Sequence, residues 1–252
     1  MILFRKFKTL SYIITRCTNW PELLAMRIGI TLRPNAIHLR NGLTLFVPQP
    51  MLRSWGELFE PAIADIYGIR NGKWDVIIDV GSNIGGFSAL AAFYHPKARI
   101  VAFEPNPEME PYFNKNMEIN NLLNIELVCS PLTGDGREVV FSTQENAGSS
   151  GLFLEGGQNP IKMKSETLDI VDFTDTRSVF FKLDCEGAEA EIINWISRNV
   201  PKLPARIKIA CEYHPWCPVL IESTESILNH IGFICSRVVL FGESYLFAER
   251  VV

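Results

Sequence analysis

The sequence lacks closely paired cysteines. No CxxC spacing occurs among the six, which are Cys17, Cys129, Cys185, Cys211, Cys217 and Cys235. A zinc site of the usual spacing and a disulfide framework are therefore not supported. Most of these residues lie in apolar, strand-like segments, where a reduced thiol behaves as a small hydrophobe. We expect a reducing, cytoplasmic setting.

Long hydrophobic runs are also lacking. The longest unbroken apolar run, residues 89–94, is far shorter than the roughly 20 residues that a membrane-spanning helix needs. Charged residues interrupt positions 1–16, which have neither the apolar stretch nor the small-residue cleavage site of a secretory signal. We expect no transmembrane segment and no export by that route.

An excess of positive charge is the third missing feature. The 24 Lys and Arg residues and 28 Asp and Glu residues give a net charge of −4, so the chain offers no broad positive field for a phosphate backbone. Nucleic acid is therefore not an expected partner. The hydrophobic fraction of 47% and the length of 252 residues instead predict one folded domain, or one domain with an appendage.

From residue 76 onward, short β-branched or aromatic segments alternate with segments of helical period, which is typical of an α/β fold with a parallel sheet. Only residues 241–244 separate the last two strands, so these should pair antiparallel through a turn that contains Gly242. The strands are predicted at residues 76–80, 99–103, 125–129, 179–184, 207–213, 235–240 and 245–250, and the helices at 87–94, 107–120, 188–199 and 224–231.

Two other regions are harder to interpret. Residues 143–166 show no sustained period, and residues 146–151 are predicted to form a lid, with an ordinary surface loop as the alternative. Residues 1–20 predict a basic amphipathic helix that packs on the core or on a second copy of the chain, or else lies peripherally on an anionic inner-membrane surface. Its apolar stripe is Leu3, Phe7, Leu10 and Ile14.

The first strand runs into the sequence Asp-Val-Gly-Ser-Asn-Ile-Gly-Gly at residues 79–86, at the sheet edge where α/β folds bind ligands. A dinucleotide fingerprint needs glycine at its third position, where this chain has Asn83. Gly81 and Gly85 leave room for a small polar ligand. The carboxylate of Asp79 suits an ammonium group and would repel a pyrophosphate, so the pattern indicates a cofactor that carries an amino acid.

The second strand ends at Glu104, next to this loop. A carboxylate at that place can accept hydrogen bonds from two ribose hydroxyls. Asp135 follows the third strand, where the amino group of an adenine should lie, although Asp-Gly is also an ordinary turn pair. We therefore expect Glu104, and with less support Asp135, to contact a nucleoside.

These blocks together resemble those of a class I S-adenosylmethionine-dependent methyltransferase. Three later blocks narrow the resemblance to the FkbM family. They are Thr167-Leu168-Asp169, the segment Phe-Lys-Leu-Asp-Cys-Glu-Gly-Ala-Glu at residues 181–189, and Cys211-Glu212-Tyr213-His214. Ser130-Pro131-Leu132 departs from the family pattern, in which a small residue is expected near the adenine, and this leaves the adenine contacts open.

The resemblance implies a Rossmann-like fold at residues 71–252, preceded by a helical or extended segment at residues 1–70. It also implies S-adenosylmethionine as cofactor, bound by Asp79, Gly81, Asn83, Gly85, Glu104, Asp135 and Asp184. Family members methylate hydroxyls of saccharides, glycolipids and secondary metabolites. The resemblance therefore implies an O-methyltransferase with a small-molecule or glycan acceptor.

Methyl transfer to a hydroxyl needs positioning and removal of a proton. Asp184 and Glu186 follow the fourth strand and His214 follows the fifth, so they should converge at one sheet edge. An unshifted histidine has a pKa of roughly 6.5, which favours His214 as the base, oriented by Glu212. The alternative for His214 is a structural histidine that closes the strand.

Asp184 and Glu186 admit two functional interpretations. They could bind the acceptor hydroxyl or the amino group of the cofactor, or they could join Glu212 and His214 around a divalent metal ion. The first interpretation is favoured, and a metal ion is not expected. For the whole protein, a catalytically silent cofactor-binding scaffold is the main alternative to an enzyme. An NAD-dependent oxidoreductase is a weaker alternative, because the glycine spacing disfavours it.

Overall fold

The computed structural model describes residues 2–27, 34–48, 58–143, 150–151, 158–214 and 218–251, apart from the side chains of residues 2–8, 143, 150–151 and 158–159. Its N-terminal part contains two helices, a small hairpin and a π-helical turn. These elements are α1 (Ile2–Arg16), α2 (Trp20–Arg27), β1 (Ala36–His38), β2 (Thr44–Phe46) and the turn Phe59–Ala64.

The rest of the chain alternates strands and helices, as the sequence pattern predicts. The elements in chain order are β3 (Val76–Val80), α3 (Gly86–Tyr94), β4 (Arg99–Phe103), α4 (Glu110–Ile119), β5 (Ile125–Val128), β6 (Glu138–Thr143), β7 (Ser150–Gly151), β8 (Gln158–Lys164), β9 (Ser178–Leu183), α5 (Glu189–Asn199), β10 (Arg206–Tyr213), α6 (Ile221–His230), β11 (Ile234–Leu240) and β12 (Glu243–Val251).

A central sheet organises the described part of the chain. It has seven strands in the order β11-β12-β10-β9-β3-β4-β5, parallel from β10 to β5 and antiparallel where β12 pairs with β10 and β11. The tight turn between β11 and β12 contains Gly242 at a positive φ of 98°. The predicted α/β fold, with its mostly parallel sheet and antiparallel hairpin, is confirmed.

The two central strands, β3 and β9, are buried along their whole length because helices cover both faces of the sheet. Ile77 and Phe180 face the layer that holds α3, α4 and the N-terminal elements. Ile78 and Phe181 face the layer that holds α5 and α6. Apolar burial of this kind stabilises a fold by roughly 25 cal/mol per Å², and here it fixes the strand ends that carry the site.

The N-terminal segment packs on the first of these layers. Its buried face differs from the predicted stripe, because Thr9, Ile13 and Cys17 are buried while Ile14 is 37% exposed. The guanidinium of Arg16 donates to the carbonyl oxygens of residues 63 and 64 and so ties α1 to the π-helical turn. The side chains of Leu3 and Phe7 lie outside the described residues, and peripheral membrane contact stays a prediction.

A second, three-stranded sheet lies in the region that the sequence pattern left without structure. β6 pairs antiparallel with both β7 and β8. The prediction that residues 143–166 lack regular structure is therefore wrong for β7 and β8. The apolar/charged alternation of β8 covers only residues 161–164 and follows Pro160, so it is too short to stand out, and pairing with β6 supplies the stabilisation. Residues 146–149 of the predicted lid lie outside the described residues.

Helix α4 begins later than expected, at Glu110 and not at residue 107. The side chain of Asn106 accepts a hydrogen bond from the backbone N–H of Glu108, which forms a turn ahead of the helix. Among the described residues, none of the helices combines the length and the apolar character that crossing a membrane requires.

The loops after β3 and β9 approach each other very closely at Gly81. Gly81 has a φ of 74°, and a Cβ atom built on it would lie 1.8 Å from the carbonyl oxygen of Asp184. A side chain of any size would therefore push these two loops apart. Glycine is required here by its left-handed backbone and by the neighbouring loop.

We predict that Gly81→Ala destabilises the fold by roughly 3 kcal/mol or more, because strain and a backbone clash add. Gly42→Ala is the matched control, since Gly42 also has a positive φ of 101° but no atom within 4 Å of the place where the added methyl group would lie. The control should cost about 1 to 2 kcal/mol. Urea unfolding measures both changes, and equal losses would contradict the proposed role of the close approach.

Candidate active site

The glycine loop, residues 81–86, joins β3 to α3. The backbone N–H groups of Gly81 and Ser82 both donate to the carbonyl oxygen of Phe103, at 3.0 Å each, which ties the loop to the end of β4. Asn83 adopts a positive φ of 49°, and its side-chain oxygen accepts a hydrogen bond from the N–H of Ile84. Asn83 therefore shapes the start of the helix from within the loop.

Gly85 is required by packing as well as by its backbone conformation. It has a φ of 84°, and a Cβ atom there would lie 2.7 Å from the Cε of Met117 and 2.9 Å from a ring carbon of Phe113. Helix α4 therefore packs directly under the loop. The sequence interpretation assigned both glycines to ligand access, whereas the structure shows that each also permits a close contact within the protein.

Glu104 lies beside the glycine loop, as predicted. Its two carboxylate oxygens accept hydrogen bonds from the backbone N–H groups of Asn83, at 2.7 Å, and Asn106, at 2.8 Å. Burial raises the pKa of this carboxyl group to about 7, even though both hydrogen bonds favour the charged form. The side chain is thus rigidly held and partly uncharged near neutral pH.

Lys182 is a functional candidate that the sequence interpretation missed. Its ammonium group, on buried strand β9, lies 3.1 Å from Asp79 Oδ1 and 3.6 Å from Asp184 Oδ2. It also donates to the carbonyl oxygens of Val80 and Gly81. Burial alone would lower the pKa of Lys182, but these carboxylates raise it above the usual value, so the side chain is charged.

This ion pair changes the role expected for Asp79. The carboxylate of Asp79 is 0% exposed, and its second oxygen accepts a hydrogen bond from Ser88 at 2.6 Å. An internal ammonium group, that of Lys182, thus occupies the position that the sequence interpretation gave to the amino group of a ligand. Direct contact between Asp79 and the amino group of a bound ligand stays a prediction.

Asp184, Glu186, Glu189, Glu212 and His214 converge at the carboxyl ends of β9 and β10, and we call them the acid–histidine cluster. His214 Nε2 lies 3.7 Å from Asp184 Oδ1, 3.6 Å from Glu186 Oε2 and 3.9 Å from Glu212 Oε1. The four candidates that the sequence placed together are therefore brought together. Asp184, at 26%, has the most exposed side chain of the cluster.

The carboxylate that orients His214 is Glu189, not Glu212 as predicted. Glu189 Oε1 lies 3.1 Å from His214 Nδ1, and its two oxygens also accept hydrogen bonds from the N–H groups of Cys185 and Gly187. Glu189 is completely buried in the first turn of α5. Glu189 is the first acidic residue after Glu186 and resembles an ordinary helix-start residue, which hides its role in the sequence.

The surroundings of His214 contradict its predicted unshifted pKa. Burial alone would lower the pKa, but the hydrogen bond to Glu189 and the charges of Asp184 and Glu186 outweigh it and raise the pKa to about 10. His214 is consequently protonated at neutral pH in the ligand-free protein. An imidazolium ion cannot accept a proton, so His214 must first lose this proton before it can act as a base, and its role as the base stays a prediction.

Two buried tyrosines from outside the predicted motifs complete the site. Tyr67 Oη lies 3.0 Å from Asp184 Oδ2 and 3.1 Å from Glu212 Oε2, and Tyr245 Oη donates to the same Glu212 oxygen at 2.9 Å. Burial and the nearby carboxylates raise the pKa of both hydroxyls, which therefore stay protonated. Tyr245 lies directly opposite Glu212 in the β10–β12 pairing, which only the observed strand order reveals.

The carboxylate of Asp135, which was predicted to contact the adenine, forms an ion pair with Arg137. It lies on the exposed turn between β5 and β6, 2.8 Å from Arg137, which also pairs with Glu191 on α5. The structure places it in this surface ion-pair network, not in the acid–histidine cluster. A contact between Asp135 and an adenine amino group stays a prediction.

The residues around the glycine loop fit a bound nucleoside. Ser82 Oγ is buried and has no hydrogen-bond partner among the described residues, and such a group normally needs one. It lies in the same loop as the backbone N–H that holds Glu104. A polar ligand at this sheet edge would satisfy Ser82 and meet the carboxylate of Glu104.

Comparison with known proteins agrees with this geometry. The methyltransferase FkbM domain matches residues 79–247, which contain the glycine loop, Glu104 and the whole acid–histidine cluster. Methyltransferase 1 of Beauveria bassiana is 27% identical over 140 residues, covering 46% of this chain and 56% of that protein. Methyltransferase sdnD of Sordaria araneosa is 34% identical over 68 residues, covering 27% and 26%.

The chain thus spans about half the length of the first curated relative and a quarter of the second. Among solved structures, a precorrin-6y C5,15-methyltransferase from Geobacter metallireducens is 17% identical with a TM-score of 0.46, covering 75% of this chain and 86% of that one. An O-methyltransferase family protein from Burkholderia thailandensis is 12% identical with a TM-score of 0.45, covering 79% and 57%.

The family assignment rests on the domain match, which covers well over half of the chain. It confirms the resemblance drawn from the sequence motifs, and with it a methyltransferase domain of the FkbM type. The glycine spacing and this match together disfavour an NAD-dependent oxidoreductase. The chain belongs to the FkbM family of methyltransferases.

Proposed function

We propose that the protein is an O-methyltransferase that acts on a hydroxyl group of a saccharide, glycolipid or related small molecule. The observation that carries this proposal is the acid–histidine cluster, which lies beside the glycine loop and is joined to it by Lys182. A neutral hydroxyl is a weak nucleophile, so its methylation calls for proton acceptors at the site of transfer. The net charge of −4 supports a small or glycan acceptor over nucleic acid.

S-adenosylmethionine supplies, when bound, a sulfonium methyl group that passes to the acceptor oxygen, with S-adenosylhomocysteine and a methyl ether as products. Glu104 and Ser82 would hold the nucleoside, and Lys182 would keep the glycine loop in place through its carbonyl oxygens. A carboxylate of the cluster would take the hydroxyl proton, with Asp184 favoured because its side chain is the most exposed. His214, held by Glu189, would position that carboxylate.

The first test is calorimetric titration with S-adenosylmethionine, with NAD as the parallel ligand. Saturable binding of S-adenosylmethionine alone is expected. Radiolabelled methyl transfer to a panel of saccharide and lipid-linked hydroxyl acceptors then tests turnover. An ether product withstands mild alkali while a methyl ester does not, so alkaline treatment separates O-methylation of hydroxyls from carboxyl methylation. Binding without transfer to any acceptor class would favour a silent scaffold.

The raised pKa of Glu104 predicts pH-dependent cofactor affinity. Ribose hydroxyls donate to the charged carboxylate, so binding should be strong above a pKa of about 7 and weaken as the pH falls through that value. Between pH 8 and pH 6 we expect the affinity to fall roughly tenfold. Calorimetric titrations with S-adenosylmethionine at a series of pH values measure this.

Glu104→Gln should remove that pH dependence and weaken binding at pH 8 by roughly 1.5 to 3 kcal/mol. Glu118→Gln, an exposed substitution on helix α4, serves as the control and should retain both the affinity and its pH dependence. An unchanged affinity in Glu104→Gln would show that this carboxylate does not bind the ribose.

Asp184→Asn separates catalysis from cofactor binding. The amide keeps an oxygen that can accept from Tyr67 but loses the negative charge, so kcat should fall by roughly 10²-fold or more with little change in cofactor affinity. Asp172→Asn, at an exposed carboxylate, should leave both quantities unchanged. If Asp184→Asn instead weakened cofactor binding at constant kcat, Asp184 would be a ligand of the cofactor and not part of the proton path.

A further inference from the structure

The tyrosines of the site fix which carboxylate oxygens face His214. Tyr67 Oη contacts Asp184 Oδ2 and Glu212 Oε2, and Tyr245 Oη holds the latter oxygen as well. The opposite oxygens, Asp184 Oδ1 and Glu212 Oε1, are therefore left to face the imidazole. On the far side of the ring, Glu189 holds Nδ1. Asp184 Oδ1, Glu212 Oε1 and His214 Nε2 therefore belong to side chains whose other polar atom is already held by a hydrogen bond.

We propose that Asp184, Glu212 and His214 bind a divalent metal ion of the Mn²⁺ type. One ligand atom from each of these residues lies within 4.8 Å of the others. The distances of 3.7 and 3.9 Å from His214 Nε2 to the two carboxylate oxygens are too long for hydrogen bonds. Two ligands of one ion lie roughly 3.0 to 3.6 Å apart, so small inward movements would complete the coordination.

The outer contacts are those that metal sites require. A histidine ligand almost always has its second ring nitrogen held by a carboxylate or carbonyl, which fixes the tautomer and the ring orientation. Glu189 is placed to do this, since it is completely buried and is itself held by two backbone N–H groups. The hydroxyl groups of Tyr67 and Tyr245 likewise fix the orientation of the Asp184 and Glu212 carboxylates.

Glu186 provides a second and separate indication of a cation. Its Oε2 atom is shielded from solvent, has no hydrogen-bond partner among the described residues, and lies 3.6 Å from His214 Nε2. A buried carboxylate oxygen without a donor is costly. A metal ion in the space between these groups would compensate it, as a fourth ligand or through a coordinated water.

The charges of the site also favour a bound cation. Four carboxylates, Asp184, Glu186, Glu189 and Glu212, share a largely buried region with the cationic groups of Lys182 and His214, and Lys182 is also paired with Asp79. Carboxyl groups therefore outnumber cationic groups in this region. A divalent ion would restore the balance, and a mixture of imidazole nitrogen and carboxylate oxygen suits Mn²⁺ and its neighbours.

This inference rests on the proposed function for its chemical purpose. An acceptor hydroxyl that coordinates a divalent ion would have a lowered pKa. Its proton would pass to a carboxylate oxygen of the cluster that does not hold the ion, and this replaces direct proton transfer to a free Asp184. The hydroxyl would donate one electron pair to the ion, and after loss of the proton the oxygen would attack the methyl carbon. No redox change of the ion is involved.

The test uses the full chain, dialysed against EDTA and then titrated with MnCl₂. Loss of the electron paramagnetic resonance signal of hydrated Mn²⁺ counts the bound ions, and one per chain is expected. Pulsed measurements on the wild-type protein should show coupling to a coordinated imidazole nitrogen. A full signal from free Mn²⁺, or binding without nitrogen coupling, would overturn the site.

Asp184→Asn and Glu212→Gln should each weaken Mn²⁺ binding at least tenfold, with thermal unfolding used to confirm that both variants fold. Glu222→Gln is the matched control, because its carboxylate is exposed and pairs with Arg237 outside the cluster. Binding that persists in both cluster variants would also overturn the proposal. S-adenosylmethionine titrated into the same samples tells the two proposals apart: cofactor binding without Mn²⁺ leaves methyl transfer standing, and Mn²⁺ binding without the cofactor leaves only the metal site.

Discussion

The ammonium group of Lys182 links the ends of β3 and β9, and with them the glycine loop and the acid–histidine cluster. It pairs with Asp79 on β3 and Asp184 after β9, and it donates to the carbonyl oxygens of Val80, at the end of β3, and Gly81, at the start of the glycine loop. A buried ion pair is weak evidence for stability, since desolvation offsets much of the attraction. Its value here is geometric, because one charge fixes the cofactor loop relative to the acid–histidine cluster.

Two other contacts depend on the same arrangement. Gly81 can approach the carbonyl oxygen of Asp184 only while both loops keep their present paths. Asp184 in turn meets Tyr67 and His214 from opposite oxygens. A shift of one loop would therefore disturb the glycine turn, the acid–histidine cluster and the tyrosine contacts together. Such coupling suits a reaction in which about 1 Å of misplacement can cost a hundredfold in rate.

The sheet could be predicted from the sequence because its signals are local. The runs that form β3 and β9 are apolar, and the short turn at Gly242 dictates an antiparallel hairpin. The three-stranded sheet could not, because the alternation in β8 covers only residues 161–164 after Pro160, and the strand is stabilised by pairing with β6, about twenty residues away. The buried face of α1 was misplaced for a related reason: which face is covered depends on the π-helical turn that Arg16 contacts, and no local period encodes that.

The same distinction between local and non-local signals decides how much of the site could be predicted. Residues at strand ends were located correctly, because parallel topology brings those ends to one edge. Their protonation could not be inferred, since the state of His214 depends on Glu189, a residue that looks in sequence like an ordinary helix-start acid. Tyr245, which lies opposite Glu212, belongs to β12, and this strand lies between β10 and β11 in the sheet. Strand order thus decides which oxygen of Glu212 faces His214, and with it the chemistry that the cluster can support.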